Sequence, residues 1–320
     1  MKNQFILIIV LFVFCLNINA QKIQKGPYTV FTIGKDVYRI EDSNDSNPAG
    51  NHNGDLAKSN PMNNCSDMYL IVGRDKALLV DLSNYVTWDK YAVESLRSII
   101  FERTGMKPLT ITVTHFHGDH TGMLPAFKND EKVHFWINGE EFKDMKIFPE
   151  ERTSFFKDYA EMDLGGGYLI QAMELRGHTP HSTIFLLNSQ SLIFTGDAFG
   201  SGNGMWLFDE PSFNVYRTSV QNFINYMENP INHTDVGKLI IYPGHHWQNG
   251  KPEELTAQYI YDMRSLIGEI EKGTAEEEPV SFSFLPFLNT NFRYKTAVIT
   301  WNKAAAERLV KSRQNKTGLI

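Results

Sequence analysis

The sequence predicts an α/β sandwich, with sheets carrying helices on their outer faces. Three observations lead there. Short β-rich runs recur along the chain, helices of amphipathic spacing follow several of them, and His or Asp residues sit in the turns between. A strand, a turn bearing a His or Asp, then a helix is a unit that builds layered sheets and collects chemistry at strand ends.

The elements follow in order. Residues 28–33 and 37–40 read as strands around the turn Gly34-Lys35-Asp36. Residues 41–64 are rich in Asn, Asp, Ser, Gly and Pro and almost devoid of apolar side chains. They cannot bury a core and form a long polar loop, either a lid or binding loop or plain disorder. Runs 68–72 and 77–81 flank Gly73-Arg74-Asp75-Lys76, a hairpin signal. Ala92, Leu96, Ile99 and Ile100 recur at helical spacing, and Gly105 stops that helix. A strand at 109–114 then runs into a cluster of histidines.

Strands at 183–187 and 192–195 come next, the second leading into Gly196-Asp197. Two further helices are well patterned. One carries Tyr216, Val220, Phe223, Ile224 and Met227 on an apolar face; the other carries Leu255, Tyr259, Met263, Leu266, Ile267 and Ile270. Between them a strand at 238–242 runs into Pro243-Gly244-His245. Glu276-Glu277-Glu278-Pro279 reads as a linker, followed by strand-like runs at 281–285 and 294–301 and a helix from Asn302. Residues 276–320 therefore form a C-terminal extension, expected to pack on the same domain or to build a dimer contact; the second case would make a homo-oligomer.

The chain's 320 residues, 42% hydrophobic, are enough for one large domain. A net charge of −6 with no block of Lys or Arg gives no electrostatic footprint for phosphate backbones, so nucleic acid is not an expected partner. The N-terminus differs from the rest. Lys2 precedes an apolar run from Phe5 to Leu16, and Asn17-Ile18-Asn19-Ala20 stands before Gln21. That layout predicts a secretory signal peptide over 1–20 and an exported product, periplasmic or secreted. The run is short for a membrane span, so no stable span is expected after cleavage. Cleavage removes Cys15 and leaves Cys65 alone, which excludes an internal disulfide. Cys65 lies in a polar, Asn-rich stretch with no metal-ligand partner nearby, and no role is expected of it.

The chemistry concentrates in Thr114-His115-Phe116-His117-Gly118-Asp119-His120. Three imidazoles and a carboxylate in six residues exceed what chance supplies in a chain with 10 His. Where a strand runs into a turn, alternate residues point the same way. His115 and His117 can then face one ion while Asp119 and His120 reach a second, and Gly118 is expected to permit the tight bend. Imidazole and carboxylate donors suit zinc best, with iron or manganese as the other candidates. A metal pair needs further ligands near turns. The chain offers Gly177-His178-Thr179-Pro180, Thr195-Gly196-Asp197 and Tyr242-Pro243-Gly244-His245.

In order and spacing, THFHGDH, GHTPHS, TGDAF and YPGHH resemble the metallo-β-lactamase superfamily. The similarity covers about residues 28–272, including the hairpin MYLIVGRDKALLVDL. It implies an αββα sandwich of the metallo-β-lactamase type over 21–275, with the site at one edge. It also implies that His115, His117 and His178 hold one ion, that Asp119, His120 and His245 hold a second, and that Asp197 bridges them. Such a pair of zinc ions would supply hydroxide near neutral pH and polarise a substrate carbonyl, with Asp119 also orienting the nucleophile.

The implied activity is hydrolysis of a small-molecule ester, thioester, lactone, amide or β-lactam. One group of true β-lactamases carries Cys at the Asp197 position, so the carboxylate here points elsewhere in the superfamily. His181 and His246 stand beside ligand turns, where they either touch substrate or support a ligand, or are simply structural. Trp206, Phe208 and Phe213 either wall an apolar cleft or pack on the neighbouring helix, and packing is the expectation. Two other classes are weighed: an oxidoreductase similar to the single-iron persulfide dioxygenases, and a binding protein that keeps the fold without catalysis. The complete seven-residue set favours the paired-metal hydrolase.

Overall fold

A computed structural model describes residues 22–42, 65–86, 89–201, 204–246, 254–282 and 285–317. The proposed signal peptide and nearly all of the 41–64 loop lie outside these residues. No helix among the described residues is long and apolar enough to cross a membrane.

The N-terminal half forms one sheet of eight strands: β1 (Ile23–Lys25), β2 (Tyr28–Gly34), β3 (Val37–Asp42), β4 (Met68–Val72), β5 (Ala77–Val80), β6 (Leu109–Thr112), β7 (Val133–Asn138) and β8 (Thr153–Phe156). The first five pair antiparallel as successive hairpins. From β5 onward the pairing is parallel. The switch follows from the connections, because helix α1 (Ala92–Thr104) crosses over between β5 and β6. Gly105 ends α1 in a left-handed turn at φ 60°, as the sequence predicts. A one-turn helix, α2 (Gly118–Thr121), follows β6.

The second sheet holds β9 (Glu161–Asp163), β10 (Leu169–Glu174), β11 (Thr183–Leu187) and β12 (Leu192–Gly196). The chain then leaves this layer through β13 (Met205–Trp206) and helix α3 (Glu210–Glu228). It returns as β14 (Ile240–Pro243) and β15 (Leu255–Thr256), before helix α4 (Ala257–Lys272).

The layers can be read from where apolar side chains go. Val37, Tyr69, Ile71, Leu78 and Val80 of the first sheet meet Ile170, Phe185, Leu187, Phe194 and Tyr242 of the second in a single cluster between the sheets. The outer face of the first sheet buries Leu96, Ile99 and Ile100 of α1. The outer face of the second buries the predicted stripes of α3 and α4, except that Leu255, read as the start of the second stripe, belongs to β15 and is partly buried. The order helix, sheet, sheet, helix is the αββα sandwich. Its strands are buried on both faces, which is why they read as continuous apolar runs rather than alternating ones.

The C-terminal residues depart from the sequence reading in several respects. Glu276–Pro279 is not a linker but strand β16, pairing with β17 (Thr290–Tyr294), which pairs with β18 (Ala297–Trp301). Its side chains are exposed, so no apolar pattern announces it; it is ordered by its ladder to β17. Residues 281–282, read as part of a strand, are outside any strand. Helix α5 (Lys303–Thr317) follows. Phe292, Ile299, Trp301, Ala305 and Leu309 share the cluster with α3 and α4, so residues 276–317 pack on the sandwich. β13 joins β18 in parallel, which ties this third, four-stranded sheet to the segment just after β12.

Candidate metal centre

The seven residues converge at one end of the sandwich, where β5, β6, β12 and β14 all terminate. Their donor atoms fall into two groups, His115, His117 and His178 in one and Asp119, His120, Asp197 and His245 in the other; within each group they lie within 4.8 Å of one another. His115 and His117 lie beyond the end of β6, in a bend rather than in the strand alternation that the sequence reading used, and their rings still face each other. Asp119 and His120 are delivered by α2.

In the first group His117 Nδ1 lies 3.0 Å from His115 Nε2 and 3.0 Å from His178 Nε2. The other ring nitrogens of those two partners are engaged. His178 Nδ1 donates to the Trp206 carbonyl at 3.1 Å, and His115 Nδ1 donates to Thr114 Oγ1 at 3.1 Å, whose hydroxyl in turn points to Asp81. Both Nε2 atoms therefore present lone pairs toward His117. One proton cannot satisfy both contacts. An ion with bonds of about 2.0–2.1 Å, which sets tetrahedral donors roughly 3.3 Å apart, fits them together. Burial, then the neighbouring His178, depresses the His117 pKa to about 4, and burial also pushes His115 and His178 down. All three rings are neutral donors near pH 7, as ligation requires.

The second group has the opposite electrostatics. Asp197 Oδ1 is 3.4 Å from both His120 Nε2 and His245 Nε2, and Asp119 Oδ2 is 3.3 Å from His245 Nε2. Burial opposes charge on His245, but Asp197 and Asp119 override it and raise its pKa to about 10. His120 is raised well above the ordinary range in the same way, by Asp81, Asp197 and Asp119. Buried carboxylates at this density call for positive charge, which a cation provides more compactly than protons do. His120 Nε2 is fully buried and has no hydrogen-bond partner among the described residues. A buried ring nitrogen without a hydrogen-bond partner fits the chemistry of a metal ligand.

Asp197 links the groups. Its Oδ1 faces His120 and His245, while its Oδ2 lies 3.5 Å from His178 Nε2. Gly244 packs against this point: a Cβ there would sit 2.7 Å from Asp197 Oδ1 and 2.7 Å from His120 Cε1. Gly196, at φ 49°, lies closer still under Thr114, whose Oγ1 a Cβ there would meet first. By contrast, Gly118 has no positive φ, and a Cβ on it would meet nothing within 4 Å. The sequence expectation that Gly118 enables the bend is corrected: it merely begins α2, and the tight approaches fall to Gly196 and Gly244.

Around the donors stands a shell that sequence reasoning mostly missed. Asp81 ends β5 at φ 63°, accepts from the Thr114 amide at 2.7 Å and pairs with His120 Nδ1 at 2.8 Å. His245 Nδ1 donates to the Cys65 carbonyl at 2.9 Å. Glu141, buried, accepts from the Phe116 amide at 3.2 Å, from Thr179 Oγ1 at 2.6 Å and from the His181 amide at 2.8 Å. It thereby joins the loop of His115 and His117 to the turn of His178. His181 and His246 stand one step behind the ligands. The His181 ring pairs with Glu174, while the His246 amide donates to Asp67 at 2.7 Å and its ring to Glu254 at 2.9 Å. Of the aromatics Trp206, Phe208 and Phe213, the last lies within the first turn of α3, fully buried and stacked on Trp301 at 4.9 Å. Phe208 instead lies against the site, 5.5 Å from the His117 ring and 5.2 Å from His178.

Fold and site together define an αββα protein with a candidate two-part metal centre at its sheet edge. The family described as the metallo-beta-lactamase superfamily matches residues 66–245, from just before β4 to the last proposed ligand. The chain belongs to that superfamily.

Among curated relatives, it is 26% identical over 216 residues to the beta-lactamase-like protein 2 homolog of Caenorhabditis elegans, covering 68% of each chain. It is 27% identical over 172 residues to mouse mitochondrial persulfide dioxygenase ETHE1, covering 52% of this chain and 58% of that one. A third relative is the atrochrysone carboxyl ACP thioesterase of Aspergillus chevalieri, 27% identical over 143 residues, covering 41% of this chain and 39% of that protein. Among solved structures, a metallo-β-lactamase from Erythrobacter litoralis superposes with a TM-score of 0.53 at 16% identity, covering 78% of this chain and 100% of its own. At that identity the likeness concerns the fold alone.

Proposed function

We propose that the protein is a hydrolase that holds two zinc ions and cleaves an ester, thioester, lactone, amide or β-lactam bond in a small molecule. The observation that carries this reading is Asp197, whose two oxygens face the two donor groups separately. His115, His117 and His178 would hold the first ion, Asp119, His120 and His245 the second, and Asp197 both. Two such ions supply an activated water near neutral pH and positive charge beside the substrate carbonyl.

The chain's own residues do the rest. Asp119 is held as a carboxylate by His120 and His245 despite its burial. It can accept a hydrogen bond from water and so aim a lone pair at the carbonyl carbon. Asp81, the Cys65 carbonyl and the Trp206 carbonyl fix the tautomers of His120, His245 and His178, so that each Nε2 faces inward.

Similarity to a persulfide dioxygenase supports a second reading, oxidation at a single iron held by the first group. The completeness of the second group favours the hydrolase. Metal analysis of protein purified without added metal separates the two: close to two zinc per chain supports the hydrolase, and one iron without zinc ends it. A panel of the five bond types then assigns the reaction; no turnover of any by the zinc-loaded protein counts against it. We also retain export, periplasmic or secreted, as a proposal resting on residues 1–20; the N-terminus of the mature protein, read by sequencing, tests it.

A further inference from the structure

The site does not end at its polar donors. Phe208 packs edge-on against the His117 ring and tilted against His178. From Phe208 an aromatic stripe runs outward over the C-terminal extension. Phe208 lies 6.4 Å from Phe287 and 6.4 Å from Trp206, and Trp206 lies 4.8 Å from Phe282. None of these four rings is fully buried, and Phe287 keeps 39% of its surface exposed.

The stripe is held in place by the extension itself. β18 pairs with β13, and the Leu207 amide donates to the Thr300 carbonyl at 3.1 Å, which fixes the backbone between Trp206 and Phe208. Asn302 Nδ2 donates to the Phe287 carbonyl at 2.9 Å, which fixes that residue to the start of α5. An exposed phenyl ring held by an ordered backbone leaves apolar area in water that a ligand can cover. The stripe begins at the rings of the first donor group, so it offers an adjoining apolar surface to a molecule bound at the centre.

We infer that the C-terminal extension completes the substrate site through Phe282 and Phe287, and that the substrate carries an aromatic group which lies on Phe208, Trp206, Phe282 and Phe287 while its scissile bond meets the proposed metal centre. Aromatic rings suit this wall better than short alkyl groups because ring pairs at 4.5–7 Å gain beyond their buried area. The inference rests on the hydrolase reading for the bond cleaved, but not for the binding of the aromatic group.

The test therefore has two arms on the full chain. The first compares phenylacetyl and acetyl thioesters of one thiol. The expected preference in kcat/KM is about 10- to 100-fold for the phenylacetyl compound. Phe287→Ala should bring that ratio down about 5-fold or more, with Phe287→Leu between; these ratios are read only after thermal melts show the variants folded. An equal ratio in the wild type, or a ratio unchanged in Phe287→Ala, overturns the inference while leaving the hydrolase reading standing. The second arm is equilibrium dialysis with 4-phenylbutyrate and butyrate, and decides the matter if neither thioester is cleaved. Saturable retention of the aromatic acid alone, weakened in Phe287→Ala, supports the wall; equal retention of both acids, or none, overturns it.

Discussion

Asp81 and His120, separated by 39 residues, meet as a fully buried pair with Oδ2 and Nδ1 2.8 Å apart. The same carboxylate takes the Thr114 amide, so a single side chain at the end of β5 orients both a proposed ligand and the start of the ligand loop. Asp81→Asn keeps the shape and tolerates the positive φ, but it removes the charge that holds the Nδ1 proton. Zinc affinity at the second group should fall about 10- to 100-fold, seen as a loss of close to one equivalent after dialysis. Retention of both equivalents would show that His120 needs no such orientation.

Gly244 and Gly118 make a matched pair of tests. A methyl group on Gly244 would press on Asp197 and His120 at 2.7 Å, where both are locked by their neighbours. Gly244→Ala should cost on the order of 100-fold in kcat, since displacements near 1 Å in a site are felt at that scale. Gly118→Ala meets open space at a helix start and should change turnover less than about 2-fold, because alanine suits a helix at least as well. Equal losses for both would contradict the placement of the tight contacts.

The sequence exposed this site unevenly, and the reason is chemical. Side-chain donors such as His115, His120, Asp197 and His245 announce themselves because few other tasks collect those residue types at strand ends. Asp81 left a weaker trace: a carboxylate closing the apolar run Leu78-Leu79-Val80 must be buried, and a buried carboxylate needs a partner. Glu141 left none, since an acidic residue in a turn is ordinary. The carbonyls of Cys65 and Trp206 left none in principle, because every residue carries one. The layers were legible through strands buried on both faces and helices with one apolar stripe; β16 was not, because its exposed Glu side chains carry no pattern.

Glu141 should matter to stability more than to chemistry. It accepts from two amides and a hydroxyl on two loops, and an alanine there leaves the buried donors of that junction without an acceptor. Each such loss costs about 1–3 kcal/mol. Glu141→Ala should lower the unfolding free energy by about 2–4 kcal/mol in denaturant titrations, a sum reduced by local relaxation. A change under 0.5 kcal/mol would mean that water replaces it.

Metal removal should destabilise the fold as well as the reaction. Two buried carboxylates, Asp81 and Asp119, and the partly buried Asp197 surround His120, and a cation bound there would compensate them in the native state only. Zinc at 100 times its Kd should add about 2.7 kcal/mol to stability. Chelation should therefore lower the melting temperature, and zinc should restore it. A midpoint indifferent to both would show that protons on His120 and His245 balance the site unaided.

Cys65 is the residue where the sequence reading and the structure most need separating. The sequence assigns its side chain no role; in the structure the thiol is buried and donates to the Asp42 carbonyl at 3.4 Å. Its backbone is another matter: the carbonyl sets the His245 tautomer, and two residues on, the Asp67 amide donates to the Gly244 carbonyl while its carboxylate takes the His246 amide. Residues 65–67 thus brace the last ligand turn through groups that substitution leaves in place. Cys65→Ala should keep two metal equivalents and turnover within about 3-fold, with a stability loss near 1 kcal/mol for one small buried side chain. Cys65→Pro should lose metal from the second group, because a proline ring alters the backbone path at that point. If Cys65→Ala alone empties the second group, the thiol's contact with the Asp42 carbonyl is needed to hold residues 65–67 in place.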